Sequence, residues 1–114
     1  MDAPVVYAVR MWLNPDGGDK VIAWLDGGHH AEVAAQPGFL WAKRYRLVQN
    51  AEDGWHGYLM LYGLKSQAAL DAYFKSPIHE KFSRENKPFL PLIRTDRVWG
   101  ALDFAVAGGE RVAS

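Results

Sequence analysis

Between Val5 and Leu13 the chain is apolar, β-branched or aromatic at every position except Arg10, and the run stops at the turn formers Asn14-Pro15-Asp16-Gly17-Gly18. That pattern predicts a first strand closed by a turn. The period then changes. Ile22, Leu25, His29 and Val33 recur at steps of three, four and four, which gathers them on one helical face, with Asp19 placed to cap the helix. Gly27 and Gly28 interrupt it and cost about 1 kcal/mol each relative to Ala, so a kink or an early end is expected there. Gln36-Pro37-Gly38 stops the helix.

Phe39 to Val48 reads as a second strand and Trp55 to Leu64 as a third, joined by the Asn50 to Gly54 turn into an antiparallel hairpin. Ser66 is a good cap for a second helix through Ala69, Leu70, Tyr73 and Phe74. Ser76-Pro77 then restarts it or opens a short separate helix carrying His79 and Phe82. Lys87 to Pro91 is a breaker-rich link, Ile93 to Phe104 a last strand, and Ala105 to Ser114 a loose tail. The order βαββαβ is the ferredoxin-like split βαβ arrangement, an α+β fold with one four-stranded antiparallel sheet and both helices on one face. Residues 1–104 make a single domain and 105–114 the tail.

The strands are apolar at both parities. Leu59 and Leu61 alternate with Tyr58, Met60 and Tyr62, and Val98 and Leu102 alternate with Trp99 and Ala101. Two helices cover only one sheet face, so the other is expected to meet a partner, most simply a second copy in a homodimer.

Composition narrows the function classes. A chain of 114 residues that is 49% hydrophobic can bury a real core. Thirteen basic and thirteen acidic residues cancel, so no global field draws nucleic acid or an anionic membrane. The basic cluster Lys43-Arg44-Tyr45-Arg46 is split between two faces by strand alternation. The first residues, Met-Asp-Ala-Pro, show neither a basic leader nor a membrane span, and a cytoplasmic location is expected. The absence of cysteine excludes disulfides, thiolate metal sites and cysteine nucleophiles. Five Trp and five Tyr are a heavy load of amphipathic rings, suited to interfaces and ligand walls.

Two histidine motifs remain for chemistry, Trp24-Leu-Asp-Gly-Gly-His29-His30-Ala-Glu32 and Tyr73-Phe-Lys-Ser-Pro77-Ile-His79. His29 is either a satisfied core histidine or an acid/base group lining a cleft between helices and sheet; His30, a quarter turn or more away, points to the surface. His79 is either a packing residue hydrogen-bonded to Glu80 or Tyr73, or a base whose partner Tyr73 holds the developing oxyanion. His29 and Glu32 share a helical face and could join His79 around a metal, but an i,i+3 pair is common by chance, and no metal is expected. Gly-x-Ser-x-Gly is absent, so serine hydrolysis has no support. Trp12, Trp41, Trp55 and Trp99 could wall a pocket for a substrate that itself reacts with oxygen, or simply pack.

With these elements in place the chain resembles the dimeric α+β barrel superfamily over residues 5–104. Trp24-x-x-x-x-His29-x-x-Glu32, followed by Pro37-Gly38-Phe39 and Lys43-Arg44-Tyr45-Arg46, is similar to the helix-to-strand passage of uncharacterised barrel proteins and the EthD-like group. Tyr73-x-x-x-Pro77-x-His79 is similar in spacing to the acid/base pair of the cofactor-free olivetolic acid cyclase and to a pattern in stress-responsive barrels. The resemblance implies a homodimeric, cofactor-independent enzyme performing isomerisation, cyclisation or elimination on a small apolar or aromatic carbonyl compound. Tyr73 and His79, with His29, would be catalytic, and Trp24, Phe82, Tyr62 and Trp99 would bind substrate. The alternatives are a non-catalytic small-molecule-binding or stress-response barrel, and a cofactor-free monooxygenase. The haem-degrading pattern, an asparagine in the first strand and a histidine late in the second helix, is not met, since the first strand has no Asn and position 83 is Ser.

Overall fold

Alternation governs the first strand. In a computed structural model that describes residues 2–110, β1 (Val5–Leu13) buries Val5, Tyr7, Val9, Met11 and Leu13, while the positions between them are half-buried or exposed. β2 (Phe39–Arg46), β3 (His56–Leu64) and β4 (Ile93–Ala101) join it in one four-stranded sheet of order β2-β3-β1-β4. Every pairing is antiparallel, and Tyr7 faces Tyr62 on one side and Trp99 on the other. This is the ferredoxin-like α+β fold that the sequence pattern predicts. Because the register is fixed, the side chains of one parity from all four strands meet beneath the helices.

The first helical arm consists of α1 (Gly18–Trp24), a π-helical turn (Leu25–His29) and α2 (His30–Ala34). The glycine kink is real and has a definite form: Gly28 lies at φ 137°, ψ −18°, and the chain winds wider around it. The second arm is α3 (Gln67–Phe74) and α4 (Pro77–Asn86), each capped by a serine: Ser66 Oγ accepts from the Ala69 N–H and Ser76 Oγ from the His79 N–H. Val21, Leu25 and Val33 of the first arm, with Leu70, Tyr73 and Phe82 of the second, close the core over β1 and β3.

Four expectations need correction. Asp19 does not cap the first helix; it lies in the first turn, and the N-cap is Gly17 at φ 98°, with no side-chain cap bond. Val21, not Ile22, begins the fully buried stripe. β2 ends at Arg46 rather than Val48, and β4 at Ala101 rather than Phe104, because the pairing of β1 with β4 runs out at Val5 and leaves only the bond from the Leu102 N–H to the Pro4 carbonyl. The link after α4 is a short 3-10 helix over Lys87–Leu92. Of the tail, residues 102–110 run exposed without helix or strand, and 111–114 lie outside the described residues.

The opposite sheet face carries Val6, Ala8, Trp12, Trp41, Leu59, Leu61 and Val98, interrupted by an Arg10–Asp96 ion pair at 2.7 Å, by Lys43 and by Arg94, which pairs with Asp53 at 2.6 Å. The Trp41 indole lies against Gly63, where any β-carbon would collide with it. No helix among the described residues is long and apolar enough to cross a membrane.

Candidate active site

Helices that lie on a sheet at an angle leave a wedge where their side chains no longer meet it, and here that wedge is a cleft of about 100 Å³. Its floor is Tyr7, Val9 and Met11 of β1, Met60 and Tyr62 of β3, and Thr95 and Arg97 of β4. Its roof is Trp24 and His29 of the first arm and Tyr73, His79 and Phe82 of the second. Drug-sized ligands occupy pockets of roughly 300–1,000 Å³, so this cleft encloses a small molecule or the reacting end of a larger one. Six of the seven residues singled out in the sequence meet here: His29, Tyr73, His79, Trp24, Phe82 and Tyr62. Trp99 does not line the cleft; it is half-exposed and packs on Tyr7 and Phe74 at centroid distances of 6.1 and 5.2 Å.

Tyr73 and His79 are brought together by the break between α3 and α4. Ser76 donates from Oγ to the Tyr73 carbonyl at 2.6 Å and accepts from the His79 N–H at 3.2 Å, so one side chain ties the last turn of α3 to the first of α4. The two rings stand edge to face with centroids 5.1 Å apart, and Phe74 flanks His79 at 5.6 Å. They touch without hydrogen-bonding to each other, so each keeps its polar atoms for something else. Burial, and then the Arg97 charge, hold the His79 pKa below its ordinary value, so the ring is neutral at pH 7 and able to accept a proton. Burial, with Tyr7 nearby, pushes Tyr73 upward, and burial together with Tyr73 and Tyr7 does the same to Tyr62; both phenols stay protonated and act as donors. Tyr7 is raised by burial too, with Arg97 opposing.

His29 is a different kind of residue. Its ring stacks on Trp24 at 4.3 Å and meets the edge of Phe82 at 4.5 Å. Its Nδ1 is buried without a partner among the described residues, and burial, followed by the neighbouring His30, pushes its pKa down to about 4. Such a ring is neutral near pH 7, and it stands in the wall of the cleft between Trp24 and Phe82. Glu32, the possible metal partner of His29, is turned to Lys81 at 3.3 Å. Among the described residues no cluster of three or more His, Asp or Glu side chains is placed to share a metal ion.

Sequence reasoning missed four participants. His30, expected at the surface, is partly buried and contacts Tyr62 Oη through Nδ1 and Arg44 Nη1 through Nε2, each at 3.3 Å. Arg44 is itself paired with Asp26 at 2.8 Å. Arg97 stands at the mouth and is the one lining residue with a fixed charge, and Tyr7 stacks on Tyr62 with centroids 5.7 Å apart. Strand alternation could have found Tyr7 and Arg97, since both have the helix-facing parity of neighbouring strands, with Arg97 opposite Val9, two residues along β1 from Tyr7. Nothing in the spacing of Asp26, His30 and Arg44 announces their contact.

Residues 4–88 match the family described as a domain of unknown function, DUF4286. The chain belongs to that family. No curated protein matches its sequence. Among solved structures this DUF4286 protein is similar to a monooxygenase from the gene ActVA-Orf6 of Streptomyces coelicolor, held in complex with nanaomycin D; identity is 19%, 94% of each chain is covered, and the TM-score is 0.67. It is also similar to a Deinococcus radiodurans protein described as an antibiotic biosynthesis monooxygenase, at 11% identity, with 93% of this chain and 99% of that one covered and a TM-score of 0.74. An EthD-family protein of Bacillus halodurans shares 13% identity over 82% of this chain and 96% of that one, at a TM-score of 0.61. Likeness at these identities carries the fold, which is the one expected from the resemblance to α+β barrels.

Proposed function

We propose that the cleft belongs to a small-molecule enzyme that removes a proton from a phenolic or enolisable carbonyl compound and holds the resulting oxyanion. The observation that carries this is the cluster of His79, Tyr73, Tyr62, Tyr7 and Arg97 around one cavity. His79 is the base, neutral at working pH and shielded by Phe74. The protonated phenols of Tyr62 and Tyr73 donate to the oxyanion, and Arg97, the single charge among the lining residues, favours the anion over the neutral substrate. Trp24, His29 and Phe82 supply flat apolar walls for a ring. Proton removal of this kind uses side chains alone.

The step after proton removal is best read as oxygenation. An electron-rich phenolate can react with dioxygen directly: one oxygen atom becomes a quinone carbonyl, the other leaves as water, and the substrate supplies all the electrons. The Streptomyces coelicolor monooxygenase, and the Deinococcus radiodurans protein described as one, favour this continuation over isomerisation, cyclisation or elimination, since they have the same fold with most of both chains aligned. We further propose that the protein works as a homodimer joined through the open sheet faces. Arg10 and Asp96 neutralise each other on that face, Arg94 is paired with Asp53 and Lys43 lies over the Trp41 ring, so the apolar side chains between them are suited to meet a second copy.

The test is oxygen uptake with a panel of phenols, hydroxynaphthalenes and 1,3-diketones. Turnover of a panel member is expected to fall roughly 10²- to 10⁴-fold in His79→Ala and less in Tyr73→Phe. The double variant should lose far less than the product of the two effects, because both groups serve one proton transfer. Equal turnover in wild type and His79→Ala would overturn the assignment.

A further inference from the structure

His30 has no task in the proton transfer above, yet it hydrogen-bonds the first helical arm to Tyr62 on the sheet floor of the cleft. The wide turn at Gly28 sets this up: His29 faces Trp24 and Phe82, and His30 leaves the same turn toward β2 and β3. Arg44 Nη1 donates 2.8 Å to Asp26 Oδ1 and lies 3.3 Å from His30 Nε2. A guanidinium has no acceptor atom, so Nε2 must accept. A neutral imidazole that accepts at Nε2 carries its proton on Nδ1, and Nδ1 lies 3.3 Å from Tyr62 Oη. The phenol oxygen then receives a hydrogen bond from His30 and is left to donate its own proton elsewhere, and the Tyr62 ring lines the cleft.

We infer that His30 is a positioning residue: clamped by Arg44 and Asp26, it fixes the Tyr62 hydroxyl as a hydrogen-bond donor to an anionic oxygen of the substrate. This rests on the cleft being an oxyanion site. It makes the enzyme selective for ligands that present an acceptor to Tyr62 and against those that present a donor, because a donor would meet the hydroxyl hydrogen head on. Asp26, His30 and Arg44 therefore govern specificity without touching the substrate. His30→Gln can keep the arrangement, since its carbonyl accepts from Arg44 and its amide N–H donates to Tyr62. His30→Leu cannot.

Two measurements decide it. Nitrogen-15 NMR of the folded protein at neutral pH should show His30 as the Nδ1–H tautomer, with Arg44→Met returning it toward the Nε2–H form; an Nε2–H or cationic His30 in wild type would overturn the inference. The second compares binding of 4-nitrophenolate with that of neutral nitrobenzene. A hydrogen bond to a charged oxygen is worth about tenfold or more in affinity, so His30→Leu and Tyr62→Phe should each lower the phenolate-to-nitrobenzene preference about tenfold, the pair together no further, and His30→Gln should retain it. Binding of 4-nitrophenolate with an unchanged preference in His30→Leu overturns the role of His30 alone. Failure of wild type to bind 4-nitrophenolate overturns the oxyanion site itself, and the donor role with it. Should His30→Leu not fold, the tautomer in wild type and Arg44→Met still gives the answer.

Discussion

At the scale of single residues, the two cleft histidines of the sequence motifs separate by environment. His29 has a folded pKa of about 4, below the unfolded imidazole value, so the unfolded chain binds the extra proton first. Its contribution to stability is therefore full above about pH 6.5, is lost as pH falls toward 4, and changes no further below that. The loss is on the order of 3 kcal/mol. His29→Leu should flatten this acid limb while leaving stability at pH 7 within about 1 to 2 kcal/mol, since the ring already lacks a partner at Nδ1. Denaturant unfolding as a function of pH checks it; an unaltered limb would mean that another group sets it. His79 must be neutral to act, and burial lowers its pKa, so kcat/KM should rise to a plateau through a limb below the ordinary imidazole value of about 6.5. Tyr73 and His79 were legible in the sequence because a serine-proline break follows the tyrosine and precedes the histidine. The environments that set the two imidazoles apart were not, because they come from side chains on the sheet and on the other arm.

Among the elements, the junctions shape the cleft. Ser76 ties α3 to α4 and also fixes the backbone of both Tyr73 and His79. Ser76→Ala should cost about 1 kcal/mol in thermal unfolding and slow turnover as well, whereas Ser66→Ala, the equivalent cap at the far end of α3, should cost similar stability and leave turnover unchanged. Equal effects of the two on turnover would remove the junction from the site. Gly28 lies at a φ of 137°, which a residue with a β-carbon adopts only under strain, so Gly28→Ala should cost about 1 to 3 kcal/mol and weaken ligand binding by moving both histidines. Strand parity was read correctly from alternation, and the glycine pair announced a break in the helix. The form of that break could not be read, because a π-turn shifts the register of everything after it, and the expected surface position of His30 followed from an unbroken helical period. The Asp19 cap failed for a related reason: Asn14 through Gly18 form their own turn, with the Gly18 N–H bonded 2.9 Å to the Asn14 carbonyl, and the helix starts before the aspartate.

For the whole molecule, the order of elements and the sheet were legible because a strand needs only a local pattern to declare itself. The cleft was not, because β1, β3, β4 and both arms build it from positions as distant as Tyr7 and Arg97. The exposed sheet face belongs to this scale too. Multi-angle light scattering should give about twice the 12.8 kDa subunit mass, and Leu61→Glu, which puts a charge in the middle of that face, should give the subunit mass with the cleft intact. The most direct test of the proton-transfer site separates it from oxygen altogether. With a carbon acid from the panel held anaerobically in heavy water, proton NMR should show wild type exchanging the acidic C–H for deuterium, and His79→Ala exchanging it roughly 10²- to 10⁴-fold more slowly. Exchange at the same rate in both proteins, or at the rate of the compound alone in wild type, would contradict His79 as the base of this cleft.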